Sequence, residues 1–175
     1  HSVRIGLLIN LAGVQTSSER YDEAEENYNE ILELQEETLS FGHLDIAQTL
    51  HNLGFIYVNT RRFEEAEKML HRALYLNEAA KPPRIENVAS CLESLAILHE
   101  EQGRLAQSQQ LKLRALALRE KRWPDGHPDI AMSLHNLAVL SLRENRFSEA
   151  CEFIDRAVDM KIRLLGSTHS NTLAS

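Results

Sequence analysis

A spacing of 42 residues governs this chain. Leu8-Ile9-Asn10-Leu11, Leu50-His51-Asn52-Leu53, Leu92-Glu93-Ser94-Leu95 and Leu134-His135-Asn136-Leu137 fall in one phase of it. His43-Leu44-Asp45-Ile46-Ala47 and His127-Pro128-Asp129-Ile130-Ala131 fall in another, two periods apart. A period of about 20–50 residues marks a stacked-repeat architecture, in which each unit buries its apolar face only against its neighbours. The 175 residues divide into units 1–42, 43–84, 85–126 and 127–168, with 169–175 opening a fifth. His1 and His169 fall in the phase of His43 and His127, so the chain reads as a segment of a longer array.

Each unit reads as two helices. Ile46, Leu50, Leu53, Gly54 and Tyr57 recur at three- and four-residue spacing, one apolar stripe of a first helix. Asp45, and Asp129 in the same phase, suit its N-cap. A second helix follows near Phe63, with Ala66, Leu70, Ala73, Leu74 and Leu76 on one face. This pattern predicts first helices near 3–16, 45–58, 87–101 and 129–142, and second helices near 21–38, 63–79, 105–121 and 147–164. Phe41-Gly42, Lys81-Pro82-Pro83, Trp123-Pro124-Asp125-Gly126 and Gly166-Ser167 supply turn signals between units. No segment alternates with period two, so strands are not expected. Small residues at Ala24, Ala66, Ser108 and Ala150, and at Ala73, Ala115 and Ala157, let helices approach closely.

Composition narrows the partners. The net charge of −7 argues against nucleic acid and anionic membrane, both of which select basic surfaces. No stretch approaches the roughly 18 apolar residues of a membrane span. Two cysteines, Cys91 and Cys151, are too few for a disulfide framework and read as small buried hydrophobes of a reducing compartment.

Chemical motifs are lookalikes. His99-Glu100-Glu101-Gln102-Gly103 begins like a metalloprotease helix, but Gly103 stands where the second ligand belongs. Repeat-spaced histidines do not converge on zinc. No glycine-rich phosphate loop or nucleophile grouping is visible, so no enzyme, metal or cofactor is expected.

The side of each first helix away from the leucines carries the functional signal. Gln48, Asn52, Phe55 and Asn59 step by four, three and four residues. Their counterparts are Gly6, Asn10, Gly13 and Ser17; Ser90, Ser94, Ile97 and Glu101; and Met132, Asn136, Val139 and Arg143. A face that met only water would be wholly polar, yet Phe55, Ile97 and Val139 share one phase, each preceded by Asn or Ser. Stacking would align them into an apolar track edged by amides, suited to an extended peptide. In the alternative, those side chains pack against the neighbouring unit and the amides brace adjacent helices. His51, Glu93 and His135 lie at the margin; the histidines are either hydrogen-bonding groove residues or surface residues copied with the repeat. Glu93, Glu100 and Glu101 outnumber Arg143, which argues against a clamp for a terminal carboxylate.

The third unit departs from the pattern. Ser108 replaces alanine, Leu105 replaces an aromatic, and Lys112 stands where Tyr28, Leu70 and Ile154 pack. A buried unpaired lysine is costly, so Lys112 is expected to snorkel outward or its helix to rotate, making this unit the weakest and a candidate hinge.

Leu50, Leu53-Gly54, Tyr57, Ala66, Leu70 and Ala73 resemble the tetratricopeptide repeat (TPR). The 42-residue spacing, His-Pro-Asp-Ile-Ala, Leu-His-Asn-Leu-Ala and Leu-Leu-Gly are similar to the kinesin light chain and nephrocystin-like subclass. The resemblance implies an all-α, right-handed solenoid of about four helix pairs whose first helices line a concave groove. It also implies a non-catalytic adaptor binding a peptide or protein, in the cytoplasm and associated with cytoskeleton or cilium. The rival is self-association or intramolecular docking, with the groove filled by protein.

Overall fold

The computed structural model describes residues 2–39 and 43–173, with side chains over 3–39 and 43–164. Among these residues the chain is eight helices and no strand: α1 Ser2–Ser17, α2 Tyr21–Thr38, α3 Leu44–Asn59, α4 Phe63–Ala79, α5 Ile85–Glu101, α6 Leu105–Arg122, α7 Pro128–Arg143 and α8 Phe147–Leu173. Each helix packs on the one before and the one after it, and α3 also touches α5, the arrangement of an α-solenoid. The turn expected at Phe41-Gly42 lies outside the described residues.

Local chemistry sets each boundary. The first helix of a unit closes on a left-handed residue: Glu19 (φ 59°), Arg61 (φ 60°), Gly103 (φ 73°) and Asn145 (φ 57°), 42 residues apart. The next residue is always arginine, and its N–H donates back five residues, as from Arg62 to the Tyr57 carbonyl at 2.8 Å. This is the Schellman closure, which satisfies carbonyls the helix end would orphan. Only Gly103 adopts the conformation without steric cost. The same arginines precede the second helices, where Arg20, Arg62 and Arg146 pair with Glu23, Glu65 and Glu149 in the first turn.

At the start of α3 and α7 the cap differs from the expectation. His43 and His127 are the N-caps, each accepting through Nδ1 from the N–H of Asp45 or Asp129 at 3.3 and 3.2 Å. The aspartates lie inside the first turn, where a carboxylate favours the helix dipole. Pro128 takes the first helical position, which needs no N–H donor. The stop expected at Gly166-Ser167 is absent: α8 continues to Leu173, taking in residues 169–173, because one glycine costs a helix only about 1 kcal/mol.

The small residues of the second helices are buried as expected, with Ala24, Ala66, Ser108 and Ala150 all at 0% exposure. Gly54 is required by close approach, since a Cβ there would lie 2.6 Å from the Leu70 side chain. Each junction between units also carries a buried polar couple. Thr49 Oγ1 donates to Gln35 Oε1 (2.8 Å), Asn77 Nδ2 to Cys91 Sγ (3.9 Å) and Arg119 Nη1 to Ser133 Oγ (2.6 Å).

Lys112 neither snorkels out nor goes unpaired. Its ammonium lies 2.8 Å from Glu100 Oε1, and both side chains are largely buried. Glu100 also accepts from Ser108 Oγ (2.9 Å) and Arg143 Nη1 (2.6 Å). The third unit has thus exchanged an apolar contact for a charged cluster, and Glu100 is what makes Lys112 and Ser108 tolerable there.

Candidate functional site

The apolar track is open. Phe55, Ile97 and Val139 are 42%, 45% and 44% exposed, so they are not sealed within this chain. Their helices hold them in one line because the opposite stripe, Leu50 and Leu53 of α3 with their counterparts in α5 and α7, is fully buried and leaves no freedom to rotate. Between α3 and α5 the track deepens into a cavity of about 360 Å³ lined by Phe55, Val58, Asn59, Arg61, Ser94, Ile97 and Glu101. An ion pair between Arg61 and Glu101 (3.5 Å) lies at this cavity.

The flanking polar residues divide into two sets. Several are already engaged within the protein, as the bracing alternative anticipates. His51 Nε2 is 2.9 Å from Ser94 Oγ, a bond between successive units. Burial holds the His51 imidazole below its usual pKa, against the opposing pull of the Ser90 carbonyl. Gln48 Nε2 donates to Asn52 Oδ1 (3.1 Å), and Asn59 Nδ2 donates to the Phe55 carbonyl (2.8 Å). Asn52 also bonds the hydroxyl of Tyr28, whose pKa burial raises. Ser90, with Gln48 and His51, faces a smaller cavity beside Asn77 and Cys91 rather than the track. The second set is not engaged in this way: Met132 and His135 are exposed, and Asn136 makes no side-chain bond among the described residues.

The charge of the site differs from the expectation. Glu93 does not offer a free carboxylate: Arg119 grips it (Nη2 to Oε2, 3.1 Å) and Ser133 Oγ donates to it at 3.3 Å. Glu100 is neutralised by Lys112 and Arg143, and Glu101 by Arg61. Arg143, the expected lone base, is likewise spent on Glu100 at 2.6 Å. Apart from Arg143, the countercharges come from second helices and turns, as with Lys112, Arg119 and Arg61, which a count along the first-helix stripe leaves out. The wall beside the track is therefore close to neutral.

A pattern on the second helices was missed altogether. Glu36 pairs with Arg72, Glu78 with Arg114 and Glu120 with Arg156, each glutamate reaching the second helix of the next unit. Glu36, Glu78 and Glu120 share one phase of the period, and the three arginines share another. That periodicity was the available signal. No group of three or more metal-ligating side chains occurs among the described residues, nor is any described helix long and apolar enough to cross a membrane.

Comparison with known proteins bears on what this arrangement is. A search among curated proteins finds no match. Among solved structures, BtubC (BKLC) from P. vanneervenii superposes with a TM-score of 0.81 at 25% identity, over 93% of this chain and 65% of that one. This chain thus spans less than two thirds of that relative. The nearly identical TPR-like repeats of a P. anserina protein assigned as a kinesin light chain give 0.77 at 22% identity, over 93% and 77% of the two chains. A Rap protein complexed with competence and sporulation factor gives 0.79 at 13% identity, over 91% and 43%. The neighbours share the solenoid fold, and repeats of this kind generally act as non-catalytic interaction scaffolds. Profiles of the tetratricopeptide repeat match residues 4–79, 45–121 and 130–171. The chain belongs to the tetratricopeptide-repeat family.

Proposed function

We propose that this array captures an extended, apolar peptide segment of a partner protein along the track of its first helices. The observation that carries the reading is the open line of Phe55, Ile97 and Val139 with its cavity between α3 and α5. An unpartnered apolar row flanked by polar groups is the usual form of a binding groove, since a row that served only the fold would be covered. The cavity accepts one bulky apolar side chain. Asn136 and the unused acceptor of Asn59 are free for the peptide backbone. Because Glu93, Glu100 and Glu101 are all paired, neither a strongly basic nor a strongly acidic ligand is favoured.

The Rap structure, a complex with competence and sporulation factor, gives a neighbouring solenoid that holds a partner. The likeness to kinesin light chain repeats makes an adaptor role in the cytoplasm, beside the cytoskeleton, the matching proposal. Panning a random-peptide phage library on this chain tests the reading. Enriched peptides should carry apolar residues at intervals and lose at least tenfold in affinity to Phe55→Ser with Ile97→Ser. That variant should melt where the parent does, since both side chains are already half exposed. Equal enrichment on parent and variant would remove the groove from consideration.

A further inference from the structure

The second junction between units is built differently from the two beside it. At the first, Gln35 of α2 is bonded to Thr49 of α3 (2.8 Å), and at the third, Arg119 of α6 is bonded to Ser133 of α7 (2.6 Å). Asn77 takes the same phase on α4 with a shorter side chain, and its contact with Cys91 of α5 is long at 3.9 Å, to a weak acceptor. The space left over is a cavity of about 80 Å³, lined by Gln48 and His51 of α3, Asn77 of α4, and Asn87, Ser90 and Cys91 of α5.

The floor of this cavity holds an unanswered acceptor. Asn77 is 1% exposed. Its Nδ2 donates to the Ala73 carbonyl at 2.9 Å, which fixes the orientation of the amide and sets Oδ1 on the other side. That oxygen is buried without a hydrogen-bond partner, a costly state unless a donor enters.

The third junction shows what fills such a space. There the Arg119 guanidinium, a planar array of N–H donors, bonds Glu93 and Ser133, with Asp129 nearby. One period earlier His51, Asn87 and Asn77 stand in place of Glu93, Asp129 and Arg119, so all three charges give way to polar side chains. Burial holds the His51 imidazole below its usual pKa and pushes the Cys91 thiol up to about 12, so neither brings charge at neutral pH. An ion entering would shed water without meeting a counterion. What fits is planar, uncharged and carries N–H donors.

Position ties the cavity to the track. Gln48, exposed at its margin, belongs to the stripe of Phe55. His51 is bonded to Ser94 (2.9 Å), which lines the larger α3–α5 cavity. Along α3 the two linings lie about two turns, or about 10 Å, apart, the reach of about three extended residues.

We propose that the small cavity receives the carboxamide of an asparagine or glutamine side chain, with Asn77 Oδ1 accepting from its N–H. The site belongs to the peptide capture proposed above, on which its supply of an amide rests.

Acetamide, the carboxamide alone, tests the cavity by NMR titration of this chain. The Asn77 side-chain amide and the Ser90 backbone amide should shift along a saturating curve, while acetate and methylammonium, of like size but charged, should shift neither. Asn77→Gln with Cys91→Thr copies the closed couple of the first junction. It should melt no lower than the parent and weaken acetamide, read at Ser90, by about tenfold or more. Phe55→Ser with Ile97→Ser should bind acetamide as the parent does, which separates failure of this site from failure of the track. Among phage peptides enriched on the parent, Asn or Gln should recur about three residues from a bulky apolar residue, and that recurrence alone should vanish on the filled variant. Linear acetamide shifts (a cavity holding water only), equal saturation by the two ions, or apolar peptides enriched without regard to Asn and Gln would each overturn the proposal.

Discussion

Leu53 and Leu137 sit in the same phase of different units, each with essentially no surface left to solvent. Truncating either to alanine removes packed methyl groups and leaves a cavity, so stability should fall by about 2–5 kcal/mol in urea titration. The cysteines contrast with each other: Cys91 is buried and its thiol pushed up to about 12 by burial, whereas Cys151 is exposed. Maleimide should label Cys151 at once and Cys91 only on unfolding; prompt double labelling of native protein would contradict the packing. His51 has a signed pH consequence. Its folded imidazole titrates below the ordinary 6.5, so the unfolded chain takes up the proton first as pH falls. Its contribution is present above that value and lost beneath it. His51→Asn should flatten this acid limb of the urea midpoint against pH, and an unchanged limb would mean the imidazole is not shielded.

Between helices, the pairing of Glu93 with Arg119 decides more than any surface bridge. The Arg119 side chain is 5% exposed, and Glu93 is partly buried against it. Arg119→Met alone strands a carboxylate and should cost about 2–4 kcal/mol, while adding Glu93→Gln should return most of the loss. A double variant as unstable as the single one would show that Arg119 acts through packing alone. The exposed ladder is different in kind. Arg114→Ala should cost less than about 1 kcal/mol, and the cost should shrink with salt.

Across the molecule the apolar core is not continuous. One cluster runs from Ala12 to Ala115 and a second from Leu116 to Ala157, so the break falls within α6. That helix carries Lys112 where α2, α4 and α8 carry Tyr28, Leu70 and Ile154, and Arg119 where α2 and α4 carry Gln35 and Asn77. In a one-dimensional array each unit is held only by its neighbours, so the break marks where cooperativity is weakest. Hydrogen exchange should be slowest in α3 to α5 and faster from α6 onward; uniform protection would argue that the charged clusters couple the halves as well as apolar contact does.

Helix number, pairing and the face turned to the core follow from the period and from three- and four-residue apolar spacing, because both are local properties of a chain that stacks on itself. The open row of Phe55, Ile97 and Val139 was legible for the same reason: one phase, repeated, has one environment. What spacing could not decide was how charges in different units find each other. Glu93 meets Arg119, Glu100 meets Lys112 and Arg143, and Asn52 meets Tyr28 through contacts spanning 12 to 43 residues. The caps at His43 and His127 and the run of α8 beyond Gly166 likewise depended on backbone geometry that several residue types can satisfy. Periodicity alone determined the scaffold and its outward row; the superposition of one unit on the next decided which polar groups on that row remain free, because pairing energy depends on distance in space and not on separation along the chain.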